Sequence, residues 1–232
     1  MSKSLLALSS LLLIAVASPT NAQTAGNYRT FADWCVHRAS LPADARHTVE
    51  VLLKQAGTQD CQQANQKLSA LTELSIGNNQ ISNIQPFSSF TKLNILSISG
   101  NKISNLQPLS GLTNLTQLYL IGNKISNLQS LSSLTNLTVL AVGYNQISDL
   151  QPLSGLTKLT RLDISSNQIS NLQLLSSLTK LTLLELSNNQ ISNLQPLSGL
   201  TKLIQLSLIG NQISNLQPLS GLTNLTRPVS YT

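Results

Sequence analysis

The chain has 232 residues, of which 41% are hydrophobic but only 3% aromatic and 9% charged, with a formal net charge of +6. That length fits one domain with an aliphatic core. The basic residues are scattered and no aromatics interleave with them to stack bases, so the composition argues against a nucleic-acid partner.

Residues 1–22 read as a secretory signal peptide. Lys3 supplies the charged start, and Leu5 to Ala17 form an apolar run too short to span a bilayer comfortably. Thr20-Asn21-Ala22 offers small residues for cleavage before Gln23. An uncleaved membrane anchor is the competing reading. No cysteine stands at the cleavage point to carry a lipid, and no second apolar span lies outside the repeats. The expectation is export, to a periplasm, the cell surface or the medium, with no stable membrane insertion once the signal is removed. Loss of Lys3 with the signal would lower the net charge by one.

Residues 23–68 are expected to form a helical N-terminal cap. Thr30 and Asp33 start a first helix carrying Phe31, Trp34 and Cys35. Pro42 is placed in the first turn of a second, which runs to Ala56 and stops at Gly57, with Val49, Leu52, Leu53 and Ala56 on its apolar face. Thr58 and Asp60 start a third through Ala64 and Leu68. The two cysteines of the chain, Cys35 and Cys61, both fall in this segment. In an exported protein they read as a disulfide, contributing roughly 3 kcal/mol by loop closure. Two free thiols are the alternative. A metal pair with His37 or His47 has too few and too oddly spaced ligands.

Residues 69–226 repeat with a period of 22: seven full units and an incomplete eighth. Asn79, Asn101, Asn123, Asn145, Asn167, Asn189 and Asn211 mark the same position in each full unit. The pattern is L-x-x-L-x-L-x-x-N-x-I-x-x-L, for example Leu115, Leu118, Leu120, Asn123, Ile125 and Leu128. Leu118 and Leu120, two apart, share one side of a short strand. The Asn follows where the chain must turn; its carboxamide offers donors and an acceptor to backbone groups there and can bridge successive coils. The second half of each unit has leucines three apart, and Pro recurs at 86, 108, 152, 196 and 218, which suits 3-10 or irregular turns rather than a long helix. The expected fold is an α/β solenoid: an arc with a parallel concave β-sheet, a 3-10 or irregular convex side, and the small helical cap covering the first coil.

This is the leucine-rich repeat pattern, and residues 69–226 resemble the internalin type of bacterial leucine-rich repeat protein, whose repeats have the same length. They also resemble the phosphatase-regulatory leucine-rich repeat proteins, a cytoplasmic class at odds with a signal peptide. The internalin resemblance implies protein–protein recognition through the concave face and names no partner.

On that face the strand residues between core positions form three columns: Glu73, Ile95, Gln117, Val139, Arg161, Leu183, Gln205; Ser75, Ser97, Tyr119, Ala141, Asp163, Glu185, Ser207; and Gly77, Ser99, Ile121, Gly143, Ser165, Ser187, Ile209. They vary while the rest of the repeats are near copies; the serines at 82, 104, 126, 148, 170, 192 and 214 never change. Tolerance of change at solvent-facing positions is the plainer explanation, and the constancy of those serines argues for binding instead. Ile95, Tyr119, Ile121 and Val139 are expected to form an apolar patch, and Arg161, Asp163 and Glu185 a charged one beside it, with Tyr144 just beyond a strand and Leu183 in the first column. Asp163 and Glu185 should stack on adjacent strands with Arg161 as the internal compensator. Two carboxylates fall short of the about six oxygens that Ca²⁺ needs. Lys158, Lys180 and Lys202 form a basic column just before successive strands, read as a solvated edge or a contact for an anionic surface. No cofactor is implied: there is no glycine-rich phosphate loop, no metal-ligand cluster, and no serine with a histidine and carboxylate about it.

The expected partner is a protein or peptide. The tail, residues 227–232, puts Pro228 where the eighth unit's second strand leucine should stand, so it is either a minimal cap or a sign of truncation. Self-association through that C-terminal edge is the alternative function.

Overall fold

The computed structural model describes residues 28–226. The signal-peptide reading, the first residues assigned to the cap, and the tail at 227–232 lie outside them.

Three helices open the described chain: α1 (Phe31–Val36), α2 (Ala43–Ala56) and α3 (Cys61–Ala70). Thr30 and Asp33 make a reciprocal capping box at α1. Bonds from the Thr30 backbone and hydroxyl, then the Arg29 backbone, hold the Asp33 carboxyl below its usual range. Pro42 is the N-cap residue of α2 rather than part of its first turn, and Gly57 ends the helix at φ 64°. Asp60 caps α3, which continues to Ala70, two residues past the expected boundary. Cys35 and Cys61 are joined as a disulfide with Cα atoms 5.5 Å apart, tying α1 to α3, so neither is available with His37 or His47 for a metal.

Seven three-residue strands follow: β1 (Glu73–Ser75), β2 (Ile95–Ser97), β3 (Gln117–Tyr119), β4 (Val139–Ala141), β5 (Arg161–Asp163), β6 (Leu183–Glu185) and β7 (Gln205–Ser207). They form one parallel sheet in sequence order, each residue pairing with its equivalent 22 positions on. The short strands alternate with 3-10 turns from Gln85–Phe87 to Gln217–Leu219. Proline occupies the first turn of several, where its missing N–H breaks no bond.

One hydrophobic core runs the length of the arc, with Leu118, Leu120, Ile125, Leu128 and Leu131 of the third coil essentially inaccessible. Each such leucine is worth about 2 kcal/mol of burial, and that burial depends on the neighbouring coil. The first coil has no predecessor and meets the helices instead. Its core positions are Phe87 and Phe90, packed with Phe31 of α1. Thr48 of α2, wholly buried, donates to the Asn83 carbonyl at 2.6 Å, and His47 Nε2 lies 2.6 Å from the Asn79 carbonyl. Helix α2 thus bonds two backbone carbonyls of the first coil directly.

The asparagines work between coils. Asn123 is typical: its Nδ2 donates to the carbonyls of Ile98 and Leu120, one coil apart, and its Oδ1 accepts from Ile103 N of the coil before. Asn101, Asn123, Asn167 and Asn189 are buried; Asn79, Asn145 and Asn211 are half-buried. Two further ladders escape a reading of the repeat pattern alone. The side-chain oxygen of Asn83, Asn105, Asn127, Asp149, Asn171, Asn193 or Asn215 accepts from the backbone N–H two residues on, capping each 3-10 turn. The hydroxyls of Thr138, Thr160 and Thr182 each donate to the carbonyl of the equivalent threonine one coil back.

Candidate binding surface

The strand register brings the three expected columns onto one face. Its residues are half-buried or exposed beside buried leucines, except that Ala141 and Gly143 are buried, so the sheet presents a continuous floor of side chains rather than a deep cleft.

At the N-terminal end this floor dips. A hollow of about 530 Å³ is lined by Glu73, Leu74, Ser75, Ile95, Ser97 and Tyr119. It brings Ile95 and Tyr119 together but not Val139 or Ile121. Gln117 separates Ile95 from Val139 in the first column, and the Tyr119 hydroxyl donates to Gln117 Oε1 at 2.8 Å. Two of the four residues of the expected apolar patch, Ile95 and Tyr119, thus line this hollow.

The charged patch lies on β5 and β6. Asp163 and Glu185 are register partners, as their spacing implies. Their compensation differs from expectation. Asp163 Oδ1 accepts from the Ser165 hydroxyl at 2.6 Å and its N–H at 3.0 Å, and Ser207 bonds Glu185. Among the described residues Arg161 pairs with neither carboxylate. It stands exposed in the first column, where its long chain gains more from water than from a partly screened partner. The Asp163–Ser165 pair leans over Gly143: a β-carbon there would meet Ser165 Oγ at 2.8 Å and Asp163 Oδ1 at 3.0 Å.

Burial pushes the Glu185 carboxyl above its ordinary value of 4.5; the Ser207 bond opposes this, and the Asp163 charge adds to it. A raised acid contributes stability that is fully present below the unfolded pKa and lost as pH rises through the folded one. Ionised Glu185 therefore costs stability at neutral pH. Glu185→Gln, which keeps size and hydrogen bonding, is expected to raise the melting temperature at about pH 7 and leave it unchanged at about pH 3. Thermal melts at both pH values check this, and an equal shift at both would remove titration as the cause.

Tyr144 stands at the rim. The residue before each ladder asparagine has positive φ in every coil: Asn78 58°, Gly100 67°, Gly122 68°, Tyr144 54°, Ser166 50°, Asn188 56° and Gly210 69°. Glycine and asparagine suit this region; a bulky side chain there costs about 1–2 kcal/mol. Tyr144 is nonetheless tyrosine and 62% exposed, gaining little from packing. A signal for this column was present in the sequence, as Gly or Asn in five of seven coils with Tyr144 and Ser166 as the exceptions. Leu183 is half-buried beside Arg161.

No group of three or more metal-ligating side chains comes together among the described residues, and no described helix is long and apolar enough to cross a membrane.

Comparison with known proteins places this geometry. The family described as "Leucine Rich repeats (2 copies)" matches residues 69–111, 113–155, 135–177, 157–199 and 179–221. No curated protein sequence matches the chain. Among solved structures, an internalin (InlF) of Listeria monocytogenes is 39% identical with a TM-score of 0.67; the match covers 68% of this chain and 47% of that one. This chain thus spans about half the length of that internalin structure. Internalin C2 (InlC2) of the same organism is 32% identical with a TM-score of 0.70, over 80% of this chain and 92% of that one. A leucine-rich repeat protein of Leptospira interrogans shares the fold at 23% identity and a TM-score of 0.59, over 72% of this chain and 50% of that one. The repeat, the parallel sheet and these matches together show that the chain belongs to the internalin type of bacterial leucine-rich repeat protein.

Proposed function

We propose that this is an exported, non-enzymatic recognition protein that binds a protein or peptide on the concave sheet. The observation that carries the reading is where the chain varies. Its coils copy one another at most positions, yet the three strand columns differ from coil to coil. The strained, exposed Tyr144 supports it, because neither packing nor backbone preference accounts for a tyrosine there. The sheet is held by backbone ladders and needs little ordering on binding. The contact surface in this reading is Ile95, Tyr119, Ile121, Val139, Tyr144, Arg161, Asp163, Leu183 and Glu185.

The test is affinity capture from envelope and medium fractions with residues 23–232, beside a Tyr119/Arg161/Asp163 triple-alanine variant. The variant is expected to lose the captured protein at least tenfold while melting near the parent. Equal capture by both moves the site off this face.

A structural or adhesive component that self-associates is the second reading. Ile204 and Ile209, 43% and 40% exposed, flank β7 at one end of the sheet. Concentration-dependent oligomers that persist in the triple variant would favour it.

A further inference from the structure

We propose that the edge of the solenoid just before the strands binds a linear acidic polysaccharide along the row Lys158, Lys180 and Lys202. The position recurs once per coil as Lys92, Asn114, Asn136, Lys158, Lys180, Lys202 and Asn224, all exposed.

What the fold itself asks of this position is visible in the asparagines. Asn114, Asn136 and Asn224 each donate Nδ2 to a threonine carbonyl of the preceding coil, Thr91, Thr113 and Thr201, at 2.9, 3.0 and 2.8 Å. Asparagine here joins coil to coil. The lysines of three consecutive coils make no such bond. Lys158 reaches sideways to Asn136 Oδ1 at 2.7 Å instead. Consecutive coils are ~4.8 Å apart at the sheet, so the row also sets like charges on adjacent rungs, an unfavourable arrangement. Among the described residues no carboxylate pairs with these lysines. Asp149 caps a 3-10 turn through Gln151, and Asp163 and Glu185 lie in the second concave column, bonded to serines. The lysines therefore forgo a bond that the same chain uses elsewhere and add repulsion. An external anion removes the repulsion and gives the ammonium groups the partner they lack in the fold.

The shape of the row selects the anion. One compact ammonium per coil, in line with the solenoid axis, matches a chain molecule carrying charge at short regular intervals. Each lysine follows an exposed threonine, Thr157, Thr179 or Thr201, whose hydroxyl suits sugar hydroxyls. The edge columns hold no aromatic residue on which bases could stack. The edge is separate from the concave columns, so this inference does not depend on the protein-binding reading.

The experiment measures retention of the full chain on immobilised polygalacturonate across a salt series. Beside it run K158N/K180N/K202N and a control with the same loss of charge elsewhere, K54Q/K102Q/K124Q. The asparagine variant installs the residue that other coils already use, so it is expected to melt at or above the parent temperature. It should elute at lower salt, with a log-affinity against log-salt slope shallower by about one per lysine removed. The control should elute near the parent. K158Q/K180Q/K202Q repeats the comparison should the asparagine variant misfold. No retention of the parent, equal losses in variant and control, or equal retention on a neutral methyl-esterified polymer would each overturn the proposal. Tighter, lysine-dependent binding to phosphatidylglycerol vesicles than to polygalacturonate would replace it with a membrane contact.

Discussion

Asn101→Ala is expected to destabilise the protein by roughly 3 kcal/mol, more than any surface substitution on the repeats. The side chain is 7% exposed and fully used. Its Oδ1 accepts from Asn79 N and Ile81 N of the preceding coil at 3.1 and 3.0 Å. Its Nδ2 donates to the carbonyls of Ile76, Ile98 and Ser99 at 3.0, 2.9 and 3.2 Å. Alanine removes one carboxamide but orphans three backbone groups of the preceding coil, the N–H groups of Asn79 and Ile81 and the Ile76 carbonyl, while the Ile98 and Ser99 carbonyls keep other donors. Ile81 is wholly inaccessible, so water cannot replace its partner. Each buried group left unmet costs about 1–3 kcal/mol.

Asn79→Ala supplies the comparison. That side chain bonds only the Gly77 carbonyl of its own coil, and the expected loss is about 1 kcal/mol. Asn101→Asp keeps the acceptor but points a buried carboxylate at three carbonyls. It should be at least as harmful as alanine near neutral pH and milder in acid, as protonation restores a donor. Urea unfolding of the three variants decides the matter. Equal losses for Asn79 and Asn101 would show that the ladder acts within coils and not between them.

The regular part of this protein was legible because its determinants are local and repeated. Leu118 and Leu120 two apart, Asn123 three later and Pro108 in the returning turn specify strand, turn and 3-10 segment without reference to a partner element. Thr30 and Asp33 did the same for the first helix, as did Gly57 for the end of the second. What was not legible depends on side chains meeting across coils. Whether Asp163 turns to Arg161 or to Ser165 is decided by competition with water at an exposed guanidinium, which spacing does not encode. The same holds for Gln117, which stands between Ile95 and Val139 in the register and accepts from the Tyr119 hydroxyl. The threonine ladder uses a residue type that reads as ordinary loop polarity until the coils are stacked. Tyr144 was legible as a residue just beyond a strand, but its backbone cost was not. Its column is mostly glycine and asparagine, and only the backbone shows that a positive φ makes its tyrosine costly.

Phe90→Ala is expected to cost about 3–5 kcal/mol and, unlike a leucine deletion in a middle coil, to release the helices first. The equivalents of Phe90 are Leu112, Leu134, Leu156, Leu178, Leu200 and Leu222, and those of Phe87 are Leu109, Leu131, Leu153, Leu175, Leu197 and Leu219. Within the repeats phenylalanine appears only in the coil that faces the helices, which do not present the matching row of leucines another coil would. Phe90 packs at this junction: it is inaccessible, with its ring 6.1 Å from Phe31 and 5.8 Å from Phe87. The α2 bonds to Asn79 and Asn83 stand at the same junction and lose their alignment if it loosens. Limited proteolysis of Phe90→Ala should therefore accumulate a fragment starting near residue 70, whereas Leu156→Ala, of similar total cost, should not. Phe31→Leu and Phe90→Leu combined should show a coupling of about 0.5–1.5 kcal/mol. Zero coupling, with no cap-release fragment, would mean that the two rings fill their own elements and the junction is held by α2 alone.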